Sequence, residues 1–524
     1  MADPILSPMS YRESPVEQLP ADQLFQAELS DSRLSGELLT GAWQWHGELT
    51  YGRREQTLVL PTGVIELTLS GCTAQQGLLY VQLLDTDRQL RATLVLQKGE
   101  KQVSVSAMLS GTTRNGEQPA GTLPAGSWLV VVCHLEGETR SPHPQAFALQ
   151  AQLTTQRIDM PVDTVMLTPP PGRGAAWYRG DLHAHTRLSD GHNSPQQAVA
   201  IAAAQQLDFL FLTEHNLCHP QLPASDRTLI LPGIEITTSM GHFNVHGPAT
   251  SLQLADRDLT SAALIAQGMD EVAGRDSHIT INHPLMKPWH WHYDALDMRR
   301  VHALEVCCDP TWATSPAATE AALAVLNQAW QSGLRLTAVG GSDCHLTPDE
   351  RNPQGTAPST YGDPATWVFA QDLTQSAMLA GLRAGHVYIE RHCALIFNFQ
   401  PVSSLLAMQI LPGMDVGAQV VTLTLHTAAP VHGWQLQLMA DGDCIATLPL
   451  GAQAQTITLD LTRYSWLRCD IRDGEGAFAG LINPIYNGSH PRFRQPAPAL
   501  CWGELLAASR IPSAVTAYET SYDV

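Results

Sequence analysis

The sequence predicts an α/β domain set between two β-rich domains, and three observations carry that reading. Residues from about Gln56 to Gln156 alternate apolar and polar side chains in short runs broken by Gly, Pro and Asn. After Ala175 the pattern changes to short apolar runs alternating with helical stretches. From about Leu395 the strand-rich pattern returns. At 524 residues the chain is too long for one core, so several domains are expected.

The first region, taken as 1–170, carries strands at Val64–Leu69, Leu78–Leu84, Ala92–Gln97, Val103–Leu109, Trp128–His134 and Ala146–Leu153. Strands at that spacing, with little helix between them, suggest a β-sandwich. Leu167 to Ala175 reads as a linker, because its three consecutive prolines stiffen the chain and cannot continue a strand. In the second region, 176–392, Ser194-Pro195 is a helix start, with Pro at the first helical position. The apolar strand Phe209–Thr213 follows it. Further strands are expected at Leu229–Leu231, Phe243–Val245, Ile279–Ile281, Leu304–Cys307 and Leu336–Val339. Helices fit Ser261–Ala273, Ala317–Gln331 and Gln375–Ala384. Repeated βα units of this length point to a parallel barrel or a doubly wound sheet. The third region, 393–524, carries strands at Val420–His426, Trp434–Met439, Thr456–Leu461 and Trp466–Arg472, and reads as a smaller sandwich.

Composition narrows the function. Hydrophobic residues make up 44% of the chain and charged residues 15%; 30 Lys+Arg against 50 Asp+Glu give a net charge of −20. A chain that acidic repels a phosphate backbone, so nucleic acid is an unexpected partner. The first twenty residues have neither a basic n-region nor an apolar stretch, and no segment approaches a membrane span. A soluble, cytoplasmic protein is the expectation. The ten cysteines show no CxxC and no regular spacing, which fits reduced thiols; Cys307-Cys308 fits strand packing.

The histidines carry the chemistry. Thirteen of the 21 fall between His183 and His345, at strand ends. In Gly180-Asp-Leu-His-Ala-His-Thr-Arg-Leu-Ser-Asp-Gly191, His183 and His185 are two apart, so on an extended strand both imidazoles face one side. Asp190 in the following loop adds a hard oxygen ligand. Thr213-Glu-His-Asn216 places His215 where an apolar strand ends. Glu235, in Gly233-Ile-Glu, is a carboxylate able to bridge two metals, and His242 and His246 compete as the ligand that follows it. His283 in Ile281-Asn-His-Pro284, and Asp343 with His345 in Gly340-Gly-Ser-Asp-Cys-His345, complete the set. Any one of these could be a satisfied interior residue or a cap. Five successive strand ends each carrying a His, an acid or both point to a multinuclear metal site, since such ends converge on one face of a barrel. Nitrogen and oxygen ligands without thiolate suit Mn, Zn or Fe.

The run HAH, SDG, TEHN, GIE, a following GH, NHP and SDCH resembles the polymerase-and-histidinol-phosphatase (PHP) family over about residues 178–390. The flanks, with Leu481-Ile-Asn-Pro-Ile-Tyr486, are similar to its carbaryl-hydrolase-type subgroup. The resemblance implies a distorted seven-stranded (β/α) barrel between an N-terminal β-sandwich and a small C-terminal β domain. It also implies two or three divalent metals. His183, His185, Glu235 and Asp343 would hold the first. Glu235 would bridge to a second held with His283 and His242, with His246 the alternative. Asp190, His215 and His345 would hold a third. Glu214 stands where the family has Asp, with little consequence expected.

A metal-activated water would then attack a small-molecule ester, with Asp343 or Asp190 accepting the proton. Arg187 is the candidate for stabilising substrate oxyanions, and could equally be a surface Arg paired to an Asp. Lys287-Pro-Trp-His-Trp-His-Tyr293 could wall the pocket, with His290 or His292 as general acid; the bland reading is packing. An amidohydrolase barrel also begins with His-x-His, but its carboxylated Lys has no counterpart: Lys287 is the only lysine in the middle region, and it precedes a Pro. Phosphomonoesters or phosphodiesters are the leading substrates, carboxylic or carbamate esters the runner-up. A non-catalytic metal- or carbohydrate-binding protein is the alternative of another class.

Overall fold

A computed structural model of the chain describes residues 43–73, 77–106, 122–135, 144–155, 170–219, 221–248, 250–353, 355–402, 409–494 and 500–511. The expectations for the first twenty residues, for the end of the strand at Leu109 and for Leu167 to Pro169 fall outside them.

Eight strands form the first unit: β1 Trp43–Leu49, β2 Gly52–Leu60, β3 Glu66–Thr73, β4 Leu79–Leu84, β5 Leu90–Leu96, β6 Lys101–Ser106, β7 Gly126–His134 and β8 Gln145–Thr154. They build two antiparallel sheets, ordered β1-β8-β3-β6 and β2-β7-β4-β5, as a sandwich. The expected strands are all there, and β1 and most of β2 extend the unit toward the N-terminus. The run Trp128-Leu-Val-Val-Val-Cys-His134 is apolar almost throughout because both faces of β7 are buried. Trp128, Val130 and Val132 fill the sandwich core. Val131, Cys133 and Leu135 face the other way and join the core of the next unit. The same alternation sends Val81 and Leu83 inward and Tyr80 and Leu84 outward on β4. Between the outward pair sits Gln82, a buried amide that donates to Leu252 O (2.7 Å) and accepts from Leu254 N (2.7 Å) and Ala255 N (3.0 Å).

The middle segment carries β9 Ala176–Asp181, α1 Pro195–Ala204, β10 Phe209–Leu212, β11 Leu229–Thr238, β12 Gly241–His246, α2 Ser261–Gln267, β13 His278–Ile281, β14 Ala303–Cys308, α3 Ser315–Gln331, β15 Thr337–Gly341, β16 Ala365–Ala370, α4 Gln375–Arg383 and β17 Val387–Glu390. Helix α1 starts where Ser194 predicts: its hydroxyl accepts from Gln197 N, and the Gln197 side chain accepts from Ser194 N. Strands β9 to β15 are neighbours in sequence order within one mixed sheet.

The sheet departs from an all-parallel reading at β11–β12–β13, where both pairs are antiparallel. The cause is local. Ser239 and Met240 alone join β11 to β12, and Gly241 follows at a φ of 117°. So short a link forces a hairpin, because a parallel crossover needs a dozen residues or more. The ends of the run meet again: Ala184, just past β9, forms a parallel bridge with Cys344, just past β15.

The last segment carries β18 Leu395–Pro401, β19 Val420–Thr427, β20 Gln435–Ala440, β21 Asp443–Pro449, β22 Gln455–Asp460, β23 Trp466–Arg472, β24 Phe478–Tyr486, α5 Pro491–Arg494 and α6 Trp502–Ala508. Strands β24, β23, β20 and β21 extend the central sheet through β16 and β17, while β18, β19 and β22 form a separate three-stranded sheet. Leu423, Leu425 and Leu459 of the small sheet pack on Leu436, Leu467 and Ile482 of the large one. The expected small sandwich therefore shares its larger sheet with the middle segment. Asn483 on β24 makes the join: its amide accepts from Ala338 N (2.8 Å) and donates to Ala338 O (2.8 Å) and Val387 O (3.1 Å).

Candidate metal centre

The loops after β9, β10, β13 and β15, with β11 and β12, bring together the nine residues anticipated as ligands. His183 and His185 lie just beyond β9 rather than on it, still in extended backbone around the Ala184–Cys344 bridge. Their rings therefore stay on one side, with centroids 5.2 Å apart.

Glu235 is the hub. Its oxygens lie 3.2 Å from His183 Nε2, 3.5 Å from His185 Nε2, 2.8 Å from His215 Nδ1, 3.3 Å from His242 Nδ1 and 3.5 Å from His283 Nε2. Asp343 lies 3.2 Å from His183 Nε2 and 3.1 Å from His185 Nε2. Asp190 sits 3.3 Å from His215 Nε2 and 3.2 Å from His345 Nε2. Ligand atoms cluster closely enough for a metal in His185–Asp190–His215–His345, His183–His185–Glu235, His183–His283–Asp343 and Glu235–His242–His283.

Between the two candidates on β12, geometry favours His242. Four residues along a strand is about 13 Å. His246 accordingly lies away from the cluster, bonding Leu182 O at 2.8 Å and packing on Phe211 and His278.

Two residues outside the expected set hold the cluster in shape. Glu305, on β14, lies 3.0 Å from His183 Nδ1 and accepts from His283 N at 2.8 Å. A carboxylate only accepts, so Nδ1 of His183 carries the proton and its Nε2 offers a lone pair to the cluster. The signal was present in the sequence as a lone acid in the apolar run Ala303-Leu-Glu-Val-Cys-Cys308. Glu214 is fully buried and matters more than expected. It accepts from Thr186 N and Ser189 N (both 3.1 Å), from both hydroxyls of those residues, and pairs with His219 Nε2 at 2.8 Å. It thus pins the loop that carries Asp190. Burial opposes its charge, but these partners hold the carboxyl down at about 2.

The same contest runs through the cluster. Burial alone would neutralise Glu235 and Asp190, yet the surrounding imidazoles hold both well below the usual carboxylate range. Against burial, Asp343 and Glu305 raise His183, and Asp190 and Glu235 raise His215, well above the ordinary imidazole value. His345 is raised to about 9 by Asp190 and Asp343. His185 goes the other way, to about 4, through burial and its neighbours His345 and His215.

The donor set fits divalent cations. His183 Nε2 and His185 Nε2 are buried without a hydrogen-bond partner. They face carboxylate oxygens at 3.1–3.5 Å without hydrogen-bond alignment. Ring nitrogens and carboxylate oxygens converging in this way need positive charge between them, from protons in the metal-free protein or from a cation in their place. Asp343 holds a left-handed backbone, with φ 50°, a strain that an L residue keeps where its surroundings impose it.

A cleft of about 620 Å³ opens over the cluster, within the usual range for small-molecule sites. Asp190, His215, Glu235, His242, His283, Asp343 and His345 form its floor. Trp289 and Trp312, ring centroids 5.1 Å apart, form one wall, so that part of the aromatic stretch does line the pocket. Two expected catalytic residues do not reach it. Arg187 is exposed and spends Nε on His192 O (3.0 Å), where the turn after Thr186 directs it. His290 is only 4% exposed, behind Trp289, and burial together with His292 pushes its imidazole down to about 3. His290 is thus neither among the residues lining the cleft nor favoured as the imidazolium a general acid would need.

All ten cysteines are free, in line with the thiol reading. Among the described residues no helix is long and apolar enough to cross a membrane.

Neither models of known protein families nor curated protein sequences match the chain. Among solved structures, similarity is found to a two-domain protein from Bacteroides vulgatus ATCC 8482 described as containing a predicted PHP-like metal-dependent phosphoesterase. It shows 19% identity over 63% of this chain and 99% of that one, with a TM-score of 0.33. A periplasmic inhibitor of g-type lysozyme from Aeromonas hydrophila matches 22% of this chain and 86% of its own, at 15% identity and a TM-score of 0.15. TM-scores this low show neither the fold nor the function of this chain.

Proposed function

We propose that the chain is a metal-dependent hydrolase of PHP type, acting on phosphomonoesters or phosphodiesters of small molecules. The observation that carries this is Glu235, one carboxylate within 3.5 Å of five histidines from four separate segments, under an open cleft. On this reading residues 176–392 form the distorted (β/α)7 barrel. The Ala184–Cys344 bridge between the continuations of β9 and β15, the first and last of seven strands in sequence order, supports it. Residues 1–170 and 393–524 are then flanking β domains.

His183, His185, Asp190, His215, Glu235, His242, His283, Asp343 and His345 would hold two or three divalent cations (Mn, Zn or Fe), which would supply Lewis-acid polarisation and lower the pKa of water towards about 7. The protein's own residues do the rest. Asp343 or Asp190, each beside the site where the attacking water would sit, would accept its proton. Glu305 fixes the tautomer of His183, and Glu214 fixes the Asp190 loop. Both are positioning residues.

A carboxylic or carbamate ester substrate is the second reading, favoured by the two indoles on the cleft wall. Metal analysis of the purified protein, with a nitrophenyl panel of phosphate mono- and diesters and carboxylate esters, separates the two. Phosphoester turnover lost in Asp343→Ala supports the first; ester turnover alone supports the second. A protein that stays metal-free and inert with added Mn or Zn refutes both.

A further inference from the structure

The cleft has a wall that neither reading uses. Gly77, Leu78, Tyr80, Gln97, Lys98 and Leu135, all from the N-terminal sandwich, face the cluster across the opening. Tyr80 and Leu135 are there because β4 and β7 bury both their faces, so their outward side chains reach the middle segment. Lys98 is carried by the turn between β5 and β6, which Gly99 closes at a φ of 97° and which Thr73 N anchors on Gln97 O at 3.3 Å.

Lys98 stands out for three reasons. It is the one Lys or Arg among the described residues that line the cleft. The chain has only three lysines. Among the described residues Lys98 has no ion-pair or hydrogen-bond partner, although the protein carries a net charge of −20 and the cleft floor holds three carboxylates. An unpaired cation kept at the mouth of an acidic cleft is a ready receptor for an anionic group. That group is not the scissile one, which the cluster below would engage. The indoles of Trp289 and Trp312, with the side chains of Leu78, Tyr80 and Met286, give the cleft an apolar surface beside its polar lining.

We propose that the N-terminal sandwich sets substrate choice: Lys98 recognises a second, acidic group on an aromatic substrate whose ring lies against Trp289 and Trp312. The substrate class is thus an aryl ester with a carboxylate or similar anion away from the scissile bond. This rests on the cluster being the hydrolytic site, but its test does not require hydrolysis.

The probes are 4-nitrophenyl and 3-carboxy-4-nitrophenyl esters of phosphoric and acetic acid, with their phenol products 4-nitrophenol and 5-hydroxy-2-nitrobenzoate. Binding of the two phenols to the metal-loaded full chain is measured by calorimetry, and kcat/KM is measured for the ester pairs. The wild type favours the carboxylated member of each pair by about tenfold. Lys98→Ala removes that preference, Lys98→Glu reverses it and Lys98→Arg keeps it, with metal content and circular dichroism as controls for folding. Equal preference in wild type and Lys98→Ala, or none in the wild type, overturns the proposal. A binding preference without turnover of any ester upholds Lys98 and overturns the hydrolase reading. Turnover without preference does the reverse.

Discussion

Glu305→Gln tests how much of the centre depends on a residue that is not among its ligands. Glu305 receives two donors, His183 Nδ1 at 3.0 Å and His283 N at 2.8 Å, one on each carboxylate oxygen. Glutamine keeps one oxygen and puts an NH₂ against the other donor. Either the His183 ring turns, or a buried N–H loses its acceptor, at about 1–3 kcal/mol. His183 and Glu305 are 0% and 2% exposed, so water does not relieve the loss. If the penalty falls on the metal-bound state, affinity drops about tenfold to a hundredfold, the range known for partners of ligating histidines. Competition with a chelator for Mn or Zn measures it, and Glu305→Asp controls for charge alone. Affinity and activity within about twofold of wild type would show that His183 does not depend on Glu305 for its orientation, and the tautomer argument would fall.

Five further outcomes are expected. Gly341→Ala places a methyl 2.5 Å from His183 Cβ, on a backbone that cannot give way, so metal content falls with the fold retained by circular dichroism. Glu214→Gln loosens the Asp190 loop, and the fraction of bound metal that exchanges fastest, followed by chelator-stopped release, should rise. Metal affinity should rise with pH, because His183, His215 and His345 must shed protons to ligate; calorimetry in buffers of different ionisation enthalpy reads the protons released. In the metal-free protein the sign is opposite. The raised pKa of His345 contributes stability that is complete below its ordinary value of 6.5 and lost as pH climbs through about 9, so urea midpoints should fall over that window. Finally, Gln82→Leu strands the N–H groups of Leu254 and Ala255, costing about 1–3 kcal/mol in denaturant unfolding followed at the middle segment.

The candidate ligands were legible because each sits beside punctuation that a sequence displays: an apolar strand that stops, then a His or an acid. His283 and Asp343 needed nothing more. Glu305 escaped because its acid lies inside a strand, where an isolated charge among Leu, Val and Cys looks like a misplaced residue until its two partners are seen. Glu214 was undervalued because its partners, Thr186 and Ser189, are separated from it by more than twenty residues. His290 misled for the opposite reason, since a His between two Trp reads the same whether the ring faces a cleft or a core. Strand positions were readable from local alternation, but partners were not. Nothing near Phe478–Tyr486 announces that this strand pairs with Val387–Glu390, nor does Asn483 reveal that its amide ties two distant strands together. Pairing across a hundred residues is decided by which faces remain uncovered after the local pieces form.

The sandwich sheet that faces the middle segment has a consequence for how such a protein can change. Its own interior, around Trp128 and Phe147, closes without help from the middle segment. The turns that overhang the cleft, near Gly77 and Lys98, hang from that independent frame. Lineages can therefore lengthen, shorten or recharge those turns while leaving every ligand where it is, so that selectivity drifts on one part of the chain while reactivity stays constant on another.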